Sequence, residues 1–113
     1  MTPASLARRT VPRDKILEYL LNPEHPLGSP KARFFFARGF SIEEWQRLAA
    51  ALNGHPARNP VEETIATAFG TKYVVRCKVE TPDGRNPCIV TVWMQEQAEP
   101  ARLVTAYPAE AGS

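Results

Sequence analysis

The groups best suited to chemistry in this chain gather in one loop and on one expected sheet surface. Residues 22–35 read NPEHPLGSPKARFF, setting His25, Lys31 and Arg33 among Pro23, Pro26, Gly28 and Pro30, just ahead of Phe34, Phe35 and Phe36. An imidazole exchanges protons near neutral pH, which makes His25 the best acid or base candidate. Lys31 stands at the start of an expected helix, where the helix dipole disfavours a cation. A cation so placed serves an anion or points to water. The competing reading is an ordinary stiff connector, because proline fixes φ and restricts the residue before it. A lone loop histidine with no carboxylate at a telling spacing favours that competitor. His55 is a second imidazole in a similar proline-flanked segment. Two histidines around one phosphate would suit transesterification, but no spacing brings them together.

The elements that must hold these groups divide the chain in two. Pro12 and Asp14 suit the first turn of a helix, and Ile16, Tyr19 and Leu20 follow at helical spacing until Pro23 ends it. A second helix is expected over residues 31–38, with Gly39 as its cap. Ser41 and Glu44 form a capping box for a third, whose apolar stripe is Ile42, Trp45, Leu48, Ala49 and Leu52. Asn53 and Gly54 are expected to end that helix, leaving residues 55–60 as a linker. From Val61 onward β-branched residues dominate, although residues 61–68 also permit helix. Residues 71–80 alternate, with Tyr73, Val75, Cys77 and Val79 on one face and Lys72, Val74, Arg76 and Lys78 on the other. The turn at residues 81–86 carries Pro82 and Gly84, and strands follow at residues 87–95 and 101–107. The resulting fold class is α+β: two or three N-terminal helices packed on one face of a three- to four-stranded antiparallel β-meander. The expected organisation is a flexible arm over residues 1–10, a single domain over 11–108 and a tail over 109–113.

Alternation assigns the faces of the last strands. Cys88, Val90, Val92 and Met94 are wholly apolar, so they are expected to face the helices, with Val104 and Ala106 beside them. Thr91, Trp93, Thr105 and Tyr107 then share the open face, hydroxyls beside aromatics. Arg102 has the parity of the core face but can turn around at an edge. Threonine and aromatic residues also favour exposed strands for packing reasons alone.

Composition bounds the partners. A net charge of +2 is too mild to announce nucleic acid, yet the first forty residues hold seven Lys and Arg against three Asp and Glu, which allows a positive face. No P-loop, dinucleotide glycine fingerprint or zinc spacing is present, so no cofactor and no metal are expected. Cys77 and Cys88 fall in neighbouring strands and read as half-buried small hydrophobes in a reducing compartment rather than as a disulfide. Without a long apolar run or a secretory signal, the chain is expected to be cytoplasmic and away from membrane.

The blocks YLLNPEHPLGSPKARFF, FGTKYVV, TPDGR and ARLVTAYP resemble the prokaryotic family known as domain of unknown function 6883, over about residues 11–108. Ala101 stands where that family more often has proline, and Cys77 where it more often has glycine. More distantly, helices followed by an antiparallel sheet resemble the barnase, EndoU, colicin and RelE-like ribonuclease toxins. That resemblance implies metal-independent RNA cleavage, with His25 as acid or base and Lys31 and Arg102 as phosphate clamps. Thr105 and Tyr107 would position the phosphate, Trp93 would stack a base, and Thr91, Arg33 and Lys72 would extend the binding surface. RNA and a small antitoxin-like protein are the partners it implies. The alternative is a non-catalytic interaction module.

Overall fold

Four runs rich in β-branched residues form four consecutive antiparallel strands, β2 (Val61–Thr67), β3 (Gly70–Lys78), β4 (Cys88–Gln95) and β5 (Ala101–Pro108). A fifth, two-residue strand, β1 (Arg9–Thr10), pairs parallel to the start of β5, so the sheet order is β1-β5-β4-β3-β2. The computed structural model describes residues 4–26 and 29–109. Leu27 and Gly28 of the connector, the first three residues of the expected arm and residues 110–113 of the expected tail lie outside the described residues.

The helices are α1 (Ala4–Ala7), α2 (Arg13–Lys15), α3 (Ser29–Ala37) and α4 (Trp45–Arg58), with a π-helical segment, Ile16–Leu20, continuing α2. The fold is thus mixed α+β with a mostly antiparallel sheet. One continuous core joins Leu6, Ile16, Leu20, Leu21, Phe35, Phe40, Leu48 and Leu52 to Tyr73, Val75, Val79, Ile89, Trp93, Ala101, Leu103 and Ala106. In the π segment the Leu21 N–H reaches the Ile16 carbonyl at 2.8 Å. This wider turn lets Ile16, Leu20 and Leu21 all be buried while Tyr19 stays only partly covered.

Several local expectations are corrected. α4 does not stop at Asn53 and Gly54 but continues through Pro56 to Arg58, so residues 55–58 are helix rather than linker. Leu52, His55 and Pro56 are buried, and that tertiary burial overrides the local helix breakers. Of the capping box, the Glu44 N–H donates to Ser41 Oγ at 3.2 Å, while the Glu44 carboxylate meets Arg47 instead of reaching back. Ile42, expected on the core stripe, is exposed.

The faces of β4 are reversed from expectation. Ile89 and Trp93 join the core and Thr91 is buried beside them, whereas Val90 and Val92 point to the other face and are nearly as well covered. Residues on both faces of β4 are thus largely dry, so polarity alternation carries no signal there. A bulge between β4 and β5 pairs Val92 with Thr105 but Trp93 with Leu103. The extra residue, Val104, lets Leu103 and Ala106 both face the core.

Candidate functional site

One cleft gathers residues from four separate parts of the chain. Pro12, Asp14, Lys15, Glu18 and Tyr19 come from the first helical segments, His25 from the connector, Lys31 from α3, and Val104, Thr105 and Tyr107 from β5. Its volume is about 820 Å³. The bulge in β5 puts Val104 and Thr105 together on the cleft wall, and the proline-stiffened connector brings His25 to the same cleft. The connector is itself tied down: the Glu24 N–H donates to Asn22 Oδ1 at 2.9 Å, and the Ser29 N–H donates to the His25 carbonyl at 2.9 Å.

Tyr19 occupies the middle of this cleft. Its hydroxyl lies 3.2 Å from Thr105 Oγ1, and the His25 ring meets the Tyr19 ring edge-on at a centroid distance of 5.0 Å. Lys15 Nζ and Lys31 Nζ sit 5.2 and 5.4 Å from the Tyr19 ring centre. Partial burial raises the Tyr19 pKa. The hydrogen bonds with Thr105 and Lys31, and the positive charges of Lys31 and Lys15, outweigh that effect and leave the phenol more acidic than an ordinary tyrosine. The arrangement therefore places two ammonium groups, an imidazole, a phenol and a hydroxyl around one cavity.

Of the residues singled out from sequence, His25, Lys31, Thr105 and Tyr107 line the cleft together, with Tyr107 39% exposed. Arg102 does not line it. Its guanidinium pairs with Glu96 at 2.6 Å, at the opposite end of β5. Arg33 is exposed on α3 away from the lining, and Lys72 lies across the sheet, opposite Ile65 and Met94. Trp93 and Thr91 are fully buried, which corrects the expectation that they present a stacking surface.

Their actual work is structural. The Trp93 indole N–H donates to Thr91 Oγ1 at 2.9 Å, and Thr91 Oγ1 lies 2.8 Å from His55 Nδ1. His55 Nε2 lies 2.7 Å from the Cys77 carbonyl oxygen, an acceptor only. That contact requires the proton on Nε2, leaving Nδ1 to accept from the threonine. His55, the second imidazole noted in the sequence, is thus a satisfied core group.

Tyr19 and Lys15 were missed because the helical spacing of Ile16, Tyr19 and Leu20 reads as one apolar stripe. The signal that could have separated them is the triple run Tyr19-Leu20-Leu21, too many apolar residues for one face of a regular helix.

Among the described residues no group of three or more His, Cys, Asp or Glu could hold a metal ion, and no helix is long and apolar enough to cross a membrane. The comparison with curated proteins gives no match. Among solved structures, the fold is similar to a chain of a contact-dependent growth inhibition toxin–immunity protein complex from Klebsiella pneumoniae 342. The TM-score is 0.70 at 13% identity, covering 96% of this chain and 100% of the other. Residues 3–110 match the model of the domain of unknown function DUF6883, and the chain belongs to that family.

Proposed function

We propose that the protein is a toxin-like, metal-independent ribonuclease whose active site is the cleft around Tyr19. The observation that carries this reading is the convergence of His25, Lys31, Thr105 and Tyr107 with Lys15 and Tyr19 in one cavity. In the proposed reaction His25 takes the proton of a ribose 2′-hydroxyl, and the 2′-oxygen attacks the adjacent phosphorus. Lys15 and Lys31 steady the charge that develops on the non-bridging oxygens, and the Thr105 hydroxyl donates to one of them. Tyr19, the more acidic phenol, gives its proton to the departing 5′-oxygen, leaving a 2′,3′-cyclic phosphate. Tyr107, part-exposed at the cleft, offers a face for a base. The likeness to a chain of a toxin–immunity complex supports the toxin-like part of the reading and a cognate partner protein.

The test is incubation of the purified chain with structured and unstructured RNAs in EDTA, followed by analysis of the product ends. Cleavage with cyclic phosphate ends is expected, slowed on the order of a hundredfold or more in His25→Ala and in Tyr19→Phe. No cleavage by the wild type, or equal cleavage by wild type and His25→Ala, would overturn this assignment. A second reading has its own observation: Asp14 and Glu18 line the same cleft beside Lys15 and Lys31. Mixed charge of that kind suits a protein surface, and stoichiometric binding of a partner without any RNA cleavage would favour a non-catalytic interaction module.

A further inference from the structure

Cys77 belongs by alternation to the face of β3 that carries Tyr73 and Val75, yet it is exposed. Its backbone φ is 134°, a value that residues with a Cβ rarely adopt. The Cys77 carbonyl is engaged inward by His55 Nε2, and the side chain leaves the core face. Cys88 opens β4 opposite Lys78, one position along from Ile89, the partner of Cys77. The unusual backbone therefore turns the Cys77 thiol out of the core, beside a second thiol one register away on the adjacent strand.

We propose that Cys77 and Cys88 form a reversible dithiol–disulfide site that reacts with small disulfides of the glutathione type. The thiolate of the exposed Cys77 attacks one sulfur of glutathione disulfide, forming a mixed disulfide and releasing one glutathione thiolate. The Cys88 sulfur, giving up its proton, then attacks the Cys77 sulfur and releases the second glutathione. Two protein thiols are oxidised and one glutathione disulfide becomes two glutathiones. The order follows from the surroundings of Cys88. Burial first, then the bond and charge of Cys77, push the Cys88 thiol up to about 11, so it waits protonated while Cys77 reacts. Converting Cys77 to a mixed disulfide gives Cys88 a neighbouring disulfide sulfur to attack, and that attack closes the bridge. The bridge encloses the turn at residues 81–86, which already docks on the α3 end through the Asp83 N–H and the Arg38 carbonyl at 3.2 Å. None of these residues lines the Tyr19 cleft, so the site stands whether or not the ribonuclease reading does.

The experiment equilibrates the full chain in graded mixtures of glutathione and its disulfide, quenches with an alkylating agent, and measures intact mass and Tm. The expected product is a monomer lighter by two hydrogens, with neither cysteine alkylated, restored by dithiothreitol. Its Tm should rise by roughly 5–15 °C, from closing a short loop in the unfolded chain. Cys88→Ser should stop at a stable glutathione adduct on Cys77, and Cys77→Gly, which suits the local backbone, should form no bridge. Doubly glutathionylated monomer, a disulfide-linked dimer, thiols still free in excess glutathione disulfide, or a lowered Tm of the bridged form would each overturn the proposal.

Discussion

Replacing His55 by alanine should unfold this protein more readily than any change in the cleft. The side chain is fully buried and makes two contacts, with the Thr91 hydroxyl at 2.8 Å and the Cys77 carbonyl at 2.7 Å. Truncation strands both partners, at about 1–3 kcal/mol for each unsatisfied buried group, and leaves a void where the ring was. A total of about 3–5 kcal/mol is a large share of the ~5–15 kcal/mol typical of a domain. At the entropy of unfolding usual for a chain of this size, Tm should drop by roughly 12–20 °C. The pH dependence gives an independent check. Burial holds the His55 pKa below its ordinary value of 6.5, and the bond to the Cys77 carbonyl only partly offsets this. The unfolded chain therefore takes up a proton below 6.5 that the folded chain refuses. The stabilisation from neutral His55 is complete above that pH and is lost as pH falls toward the lowered folded value, by up to about 1.4 kcal/mol per pH unit. Urea unfolding followed by tryptophan fluorescence at intervals from pH 8 to 5 reads both effects. His55→Gln, which cannot ionise, should show a flatter slope below 6.5 than the wild type. A His55→Ala loss under about 1 kcal/mol, or parallel slopes in the two proteins, would refute the buried neutral imidazole.

Three further outcomes follow from the same geometry. Cys77→Gly should stabilise the reduced protein by about 1 kcal/mol in chemical denaturation, because relief of strain at φ 134° exceeds the added backbone entropy. Gly70→Ala should cost about 2–4 kcal/mol, since φ is 152° there, beside the turn of the β2–β3 hairpin, and a Cβ would run into the Gln95 carbonyl at the end of β4. Arg102→Ala should change stability by less than about 1 kcal/mol, as its partner Glu96 is solvent-accessible, and should leave the phenol titration of Tyr19 unmoved. A shift of that titration in Arg102→Ala would place Arg102 in electrical contact with the cleft after all.

The order of helices and then strands was legible in the chain because helical and strand periodicities differ and the turn residues are unambiguous. Thr81, Pro82 and Gly84 mark the β3–β4 turn, and the alternation that groups Tyr73, Val75 and Val79 on one face matches their shared place in the core, while Cys77 of the same group is exposed. The alternation of β4 misled, because residues on both of its faces are buried. Its polar member Thr91 is buried only because α4 supplies His55 to meet it. A hydrogen bond between residues 36 apart leaves no trace in local pattern. The same holds for the end of α4, where Gly54 and Pro56 signal a stop that burial overrides.

For the cleft, sequence supplied the chemical types in His25, Lys31, Thr105 and Tyr107. What drew them together was tertiary: a π turn that frees Tyr19 from the apolar stripe and a one-residue bulge that moves Thr105 beside it. Both are single-residue adjustments of backbone phase. A periodic reading averages over such adjustments, and only the packed structure fixes where they fall.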